Sequence, residues 1–364
     1  MLTVPLEKPQ ADIDHFVKVI RGQTIPSRPP LVELFLDYEV EREISRNCLG
    51  RAWVEPGADQ ASWKSYLKNR IEVYHRMGYD YVRVTGGLDF PSAKTRPAVD
   101  TANLSRGTRN WAEEGKGLVS TWDEFDAYRW PDPDQSDLWQ YEFVAENLPD
   151  GMGMFVCPTG GFLEMPQEAI LGYQNMCYLL CEDPDLVATV FRKTGEIIYR
   201  FYERLIELPK LYGFFQGDDM GYKSGTLIAP DHLRQMVLPW HKRLAELAHG
   251  NGLLYLLHSC GNLDAISREL VDDVGIDGRH SFEDESNNVI AFKQSYGKRT
   301  AVLGGVDVDK LARLPESELR AYTRQTIEAC MPGGRYALGS GNTVCNYVPI
   351  PNYFAMVEEA LNYT

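Results

Sequence analysis

The chain has 364 residues, 44% of them hydrophobic and 24% charged, a composition that excludes a disordered chain and suffices for a large core. Its 52 acidic against 37 basic residues give a formal charge of -15, which repels phosphate backbones and anionic lipid, so neither nucleic acid nor a membrane surface is an expected partner. No apolar run approaches the roughly 20 residues of a membrane span, and MLTVPLEKPQ lacks a basic segment leading into an apolar signal core, so a cytoplasmic location is expected.

A helical pattern over residues 11–21 and a Pro-rich joint at 25–30 precede LVELFLDYE, which reads as a first strand carrying Glu33 and Asp37 on one face. A polar-apolar helix follows over 62–77, then Gly78, then DYVRVTGG, a second strand closing on Gly86 and Gly87. Residues 88–117 have no clear periodicity, and so long a loop in a compact fold is usually a lid or a binding loop. Thr121 and Glu124 fit a capping box, and the helix it opens stops at WPDPD, residues 130–134.

GMGMFVCPTGG is a third strand and runs into Phe162, Leu163 and Glu164. Two helices, 167–181 and 184–208, lead to LYGFFQGDDMG, a fourth strand ending in Gln216, Asp218 and Asp219. The next helix starts at Pro230 and stops at Gly250, with a kink expected at Pro239. The fifth strand, within GLLYLLHSCGN, is an apolar run over 253–257 that suits burial on both faces and ends abruptly in His258, Ser259 and Cys260. His258 and Cys260 are two apart and so project to one side; an imidazole beside a thiol suits a soft divalent metal, zinc above all. GIDGRHSFED is a sixth strand ending in His280, Glu283 and Asp284, TAVLGGVDVD a seventh and GRYALGSGN an eighth, with a last helix over 353–361.

Eight strands alternating with helices predict one domain over residues 1–364, a (β/α)8 TIM barrel with an extra N-terminal helix and a long loop after the second strand. Reactive groups of such barrels sit at the C-terminal strand ends, where Glu33, Asp37, Glu164, Gln216, Asp218, Asp219, His258, Cys260, His280, Glu283, Asp307, Ser340 and Asn342 would converge. The seven cysteines, at 48, 157, 177, 181, 260, 330 and 345, have no framework spacing and read as reduced thiols. No GxGxxG follows a strand, and no phosphate loop or GxSxG elbow is present, which leaves nucleotide binding and serine hydrolysis without support.

The segments PPLVELFLDYE, WPDPD, QGDDMGYKSGTLIAP, LPWHKRLAELAHGNG, LLHSCGNL, HSFED, LGGVDVD and LGSGNTVCNYVPIPNY together resemble the uroporphyrinogen decarboxylase superfamily, and more closely its branch of cobamide-dependent methyltransferases. The resemblance implies zinc held at the barrel mouth by a His-x-Cys pair and a later Cys in a Gly-Cys dipeptide. His258 and Cys260 match the pair. Counted back from Pro349 and Asn352, the dipeptide falls on Gly341 and Asn342, so the third thiolate is missing from its place. Cys345, three residues on, is the expected substitute, with Glu164, Asp218 or Glu283 as an oxygen ligand instead. Asp218, His280 and Glu283 are the groups expected to orient substrate or move protons.

The branch implies methyl transfer between a small methylated substrate or thiol and a corrinoid. A partner protein would supply the corrinoid, because the chain has no Asp-x-His-x-x-Gly motif. Porphyrinogen decarboxylation is the weaker alternative: its Met-Arg-Gln-Ala-Gly-Arg signature is replaced by FLDYEVEREISRN, and an acidic cleft suits a polycarboxylate poorly. A barrel that binds a small molecule without catalysis is the rival from another class.

Overall fold

The computed structural model describes residues 4–57, 59–92, 95–112, 115 and 117–364. Seven strands form one curled parallel sheet within a mixed α/β fold: β1 (Tyr81–Thr85), β2 (Gly153–Cys157), β3 (Leu211–Gly217), β4 (Leu254–His258), β5 (Gly278–His280), β6 (Ala301–Leu303) and β7 (Tyr336–Ala337). Each is hydrogen-bonded to the next in that order. All seven lie where the sequence places its second to eighth strands. Helices fill the intervals, and the apolar positions of β4 are buried on both faces because helices cover the outside and side chains fill the inside.

The first expected strand takes another form. Residues 31–36 run beside β7 through two isolated parallel bridges, Leu31 with Leu338 and Leu36 with Val344. On the β1 side the phenol of Tyr81 stands in for ladder bonds, accepting from the Glu33 amide at 3.0 Å and donating to the Glu33 carbonyl at 2.7 Å. The approach to β7 needs a glycine, since a Cβ on Gly339 would lie 1.7 Å from the Val32 carbonyl oxygen. Residues 31–36 therefore form a seam between β7 and β1 that is built from bridges and one tyrosine.

The interior divides into two levels. At the N-terminal end of the strands Tyr81, Phe155, Phe215, Leu254, Leu256, Leu303 and Ala337 meet Ile13, Phe16 and Ile20 from the helix Ile13–Ile20, which plugs that end. The rings pack mostly edge-on, Tyr81 to Phe155 at 4.9 Å and Phe16 to Phe155 at 6.0 Å. Above Phe215 the inward positions turn polar, with Arg83 over its ring at 5.6 Å and His280 edge-on at 5.8 Å.

One local feature adds to the sequence reading and another bears out its expected kink at Pro239. The stretch 88–117 contains an antiparallel ribbon, Thr95–Val99 with Thr108–Ala112; five of its residues, 93, 94, 113, 114 and 116, lie outside the described ones. The helix expected over 230–250 is divided into Pro230–Met236 and Leu238–Gly250, because Pro239 has no N–H to continue the ladder. Among the described residues no helix is long and apolar enough to cross a membrane.

Glu33, fully buried in the seam, takes the Ser340 amide on Oε1 at 2.7 Å and the Ser340 hydroxyl on Oε2 at 2.6 Å. Burial pushes its pKa up to about 8 against the lowering effect of those bonds. An acid raised on folding holds its proton in the native state while the unfolded chain has released it, so its stabilising effect is lost as pH rises from about 4.5 through about 8. Glu33→Gln should remove a slope of up to about 1.4 kcal/mol per pH unit from the unfolding free energy across that window. Urea unfolding at several pH values measures it; equal slopes in both proteins would refute the assignment.

Candidate metal centre

β4 carries His258 at its last position, and the chain then turns through Ser259 to Cys260. Ser259 is held between the strand ends: its amide donates to the His280 carbonyl at 2.7 Å and its hydroxyl accepts the Met220 amide at 3.0 Å. That clamp sets Cys260 beside His258, with Sγ 3.4 Å from Nε2. After β3, Asp219 Oδ1 accepts the Cys260 amide at 2.8 Å and lies 3.5 Å from the same Nε2. One donor atom each from Asp219, His258 and Cys260 lies within 4.8 Å of the other two.

The tautomer of His258 follows from its neighbours. His280 Nε2 lies 3.1 Å from the Ser340 carbonyl, which only accepts, so the proton of His280 is on Nε2. Burial holds the pKa of His280 down to about 3, so its Nδ1 is a bare acceptor. His258 Nδ1, 2.7 Å away, must then donate, and the lone pair of His258 is on Nε2, facing Cys260 and Asp219. A metal-binding imidazole needs this arrangement, with one nitrogen free and the other tied down.

Burial raises the Cys260 thiol and the Asp219 carboxyl and lowers His258, so each resists charge or protonation in isolation. A divalent cation inverts that balance, because a thiolate and a carboxylate neutralise it. Imidazole nitrogen, thiolate sulfur and carboxylate oxygen form a donor set that zinc accepts, with a fourth position open to a cavity of about 500 Å³. The residues present therefore fit a zinc ion.

The structure separates the remaining candidates. Asp218 points away from the cavity, fully buried: it accepts the amides of Leu163 and Glu164 at 3.0 Å each and pairs with His241 Nε2 at 2.8 Å. Gly161 allows this, as a Cβ there would lie 2.0 Å from the Asp218 carboxyl carbon. Glu164 lines the cavity, its Oε2 taking the Gly161 amide at 3.0 Å, with a pKa pushed to about 8 by burial and then by the charges of Asp219 and Asp218. Cys345 is placed apart from the donor group. Its Sγ lies 3.3 Å from the Thr343 hydroxyl, and it lines a second cavity together with Glu283, whose carboxylate accepts the Ser286 hydroxyl at 2.9 Å.

Elsewhere Asp37 takes the Asn346 amide, Asp307 caps the helix Val308–Arg313, and Gln216 takes the Tyr202 hydroxyl. Asn342, at the place of the missing thiolate, has its Nδ2 3.1 Å from Cys260 Sγ. The sequence places Asp219 among the strand-end residues but not among the candidate third ligands, whereas the structure sets it beside His258 and Cys260. Its only signal was the pair Asp218-Asp219 at a strand end, where neighbours face opposite sides and the sequence does not say which faces in.

A curled parallel sheet with a nitrogen, a sulfur and an oxygen donor gathered at the C-terminal strand ends defines the class: a barrel-like α/β protein whose mouth carries a group that could hold a metal. The model of the family described as uroporphyrinogen decarboxylase (URO-D) matches residues 156–363, more than half of the chain, and the chain belongs to that family. Among solved structures it is similar to a methyltransferase from Methanosarcina mazei, with a TM-score of 0.67 and 15% identity over 97% of this chain and 99% of that one. It also matches a putative vitamin-B12 independent methionine synthase from Listeria monocytogenes, with a TM-score of 0.47 and 10% identity over 92% and 95% of the two chains. At these identities the first likeness extends to the fold alone. No curated protein matches by sequence.

His280→Phe keeps the ring volume and removes the acceptor for His258 Nδ1. Zinc affinity, measured by competition with a chromophoric chelator, should fall about 10- to 100-fold. An unchanged affinity would mean that His280 does not set the tautomer.

Proposed function

We propose that this protein is a zinc-dependent methyltransferase that moves a methyl group between a small methylated substrate or thiol and a corrinoid carried on a separate protein. The observation that carries the reading is the convergence of Asp219, His258 and Cys260 within 4.8 Å on the wall of a single cavity. The shared fold of a methyltransferase supports the choice of reaction. Zinc at this position would act as a Lewis acid, favouring the thiolate of a thiol substrate or stabilising the leaving oxygen of a methyl ether.

The chain's own residues hold and shape. Asp219, His258 and Cys260 are the ligands on this reading, and Asp219 replaces Cys345 as the third. His280 is a positioning residue, since it is fully buried and reaches the cavity only through His258. Asp218 positions the turn 161–164 and with it Glu164, the carboxyl able to hold or release a proton at the cavity wall. Glu283 and Cys345 border the neighbouring cavity, and the wall of the first carries Asp89, Glu164 and Asp219 against Arg83, the single cation among the described residues that line it. That balance disfavours a substrate with several carboxylates, and so the decarboxylase alternative.

Purified protein should contain about one zinc per chain by elemental analysis. His258→Ala, Cys260→Ser and Asp219→Ala should each lose it with an unchanged far-UV spectrum, because the fold draws its stability from its buried core. Cys345→Ser should retain it. Wild-type protein free of metal after growth with ample zinc would leave a binding protein without this chemistry as the better reading.

A further inference from the structure

Arg83 is the third residue of β1, and alternation from Tyr81 turns it into the barrel above the aromatic plug. It is only 7% exposed. Its Nε donates to the Phe215 carbonyl at 2.9 Å, and its guanidinium lies over the Phe215 ring. Among the described residues its two Nη groups have no carboxylate or carbonyl partner, yet they are not sealed into the core, because Arg83 lines the cavity that holds Asp219, His258 and Cys260. A buried guanidinium without a counter-ion is unfavourable, and the fork it presents matches an oxyanion held by two parallel hydrogen bonds. Around it the wall is largely apolar, with Leu34, Phe35, Leu88 and Pro158.

We infer that the cavity receives a small organic monoanion, its carboxylate held by Arg83 and its apolar body directed along the wall toward the metal donors. This rests on the reading of the same cavity as the substrate site. Asp89 and Glu164 line the same wall without bonding Arg83, so its fork is left without a direct partner among the described residues and fits one anionic group. The metal does not cancel that cation, since the thiolate of Cys260 and the carboxylate of Asp219 already balance a divalent charge. Arg83 is thus a specificity-determining residue: a neutral analogue leaves it buried and unpaired, and that penalty, more than the bond gained by the anion, makes the discrimination.

The test compares 4-fluorobenzoate with 4-fluorobenzamide, which share ring and fluorine and differ in charge, by 19F relaxation on zinc-replete protein. Wild type should bind the benzoate at least about tenfold more tightly. Arg83→Gln should erase the preference while its zinc content stays at the wild-type level, and Arg83→Lys, which keeps the charge and loses the fork, should retain part of it. If Arg83→Gln does not fold, the lysine variant and the wild-type ratio carry the comparison. Equal binding of the two probes, no binding of the benzoate, or a preference that survives Arg83→Gln would each overturn the assignment, the last by placing the carboxylate on the metal. Zinc missing from a wild-type protein that still prefers the benzoate would instead sink the metal reading and leave Arg83 as the anion site.

Discussion

The Ser340 carbonyl fixes two imidazoles at once, and the rest of the site depends on it. It accepts the hydrogen bond of His280 Nε2–H, His280 Nδ1 then accepts that of His258 Nδ1–H, and the His258 lone pair is left facing Cys260 and Asp219. The chain of bonds runs further back, because Glu33 holds the Ser340 amide and hydroxyl and so fixes the turn that presents the carbonyl. Glu33 also lies in the segment between β7 and β1, against the phenol of Tyr81. Seam and donor group are one hydrogen-bonded construction. Buried polar groups of this kind are costly unless every one is satisfied, which is why so much of the chain between the seam and the site is polar and fully enclosed.

The same construction explains why the two levels of the interior differ. The helix Ile13–Ile20 covers the lower end with Phe16 among Tyr81, Phe155 and Phe215, so apolar side chains fill the interior beneath the histidines. Arg83 and His280 both rest on Phe215, the highest ring of the plug. With ordinary flexible packing beneath them, neither would be held where a ligand meets it, and the orientation gained from Ser340 would be dissipated.

Much of this was legible in the sequence. A buried parallel strand needs an unbroken apolar run, so LLYLLH and GMFVC announced themselves, and the His-Ser-Cys exit showed where polarity returns. The segment 31–36 carries the same apolar text but pairs through Tyr81, and a side chain standing in for a strand leaves no local signal. Cys345 is only three residues from the place of the expected thiolate, yet the loop after Asn342 carries it to the adjoining cavity beside Glu283. Arg83 had a signal that went unused: in YVRVT it shares a side with Tyr81, and a cation on the inner face of a barrel strand calls for an explanation.

The exchange of a thiolate for Asn342 has a consequence that charge alone dictates. The superfamily resemblance implies two thiolates and an imidazole, a set carrying two negative charges. Asp219, Cys260 and His258 carry two as well, so the proposed site keeps the neutral balance a divalent ion requires while one sulfur becomes an oxygen. A carboxylate gives less electron density to zinc than a thiolate does, so a zinc ion held by Asp219, His258 and Cys260 would be the stronger Lewis acid. Asn342 adds to this, because its Nδ2 directed at Cys260 Sγ stabilises the thiolate and draws charge from the one sulfur that is left. On the proposed reading, a zinc ion held by this donor set would favour polarising a poor leaving group such as an ether oxygen over activating a thiol, whose own sulfur would supply what the site has given up.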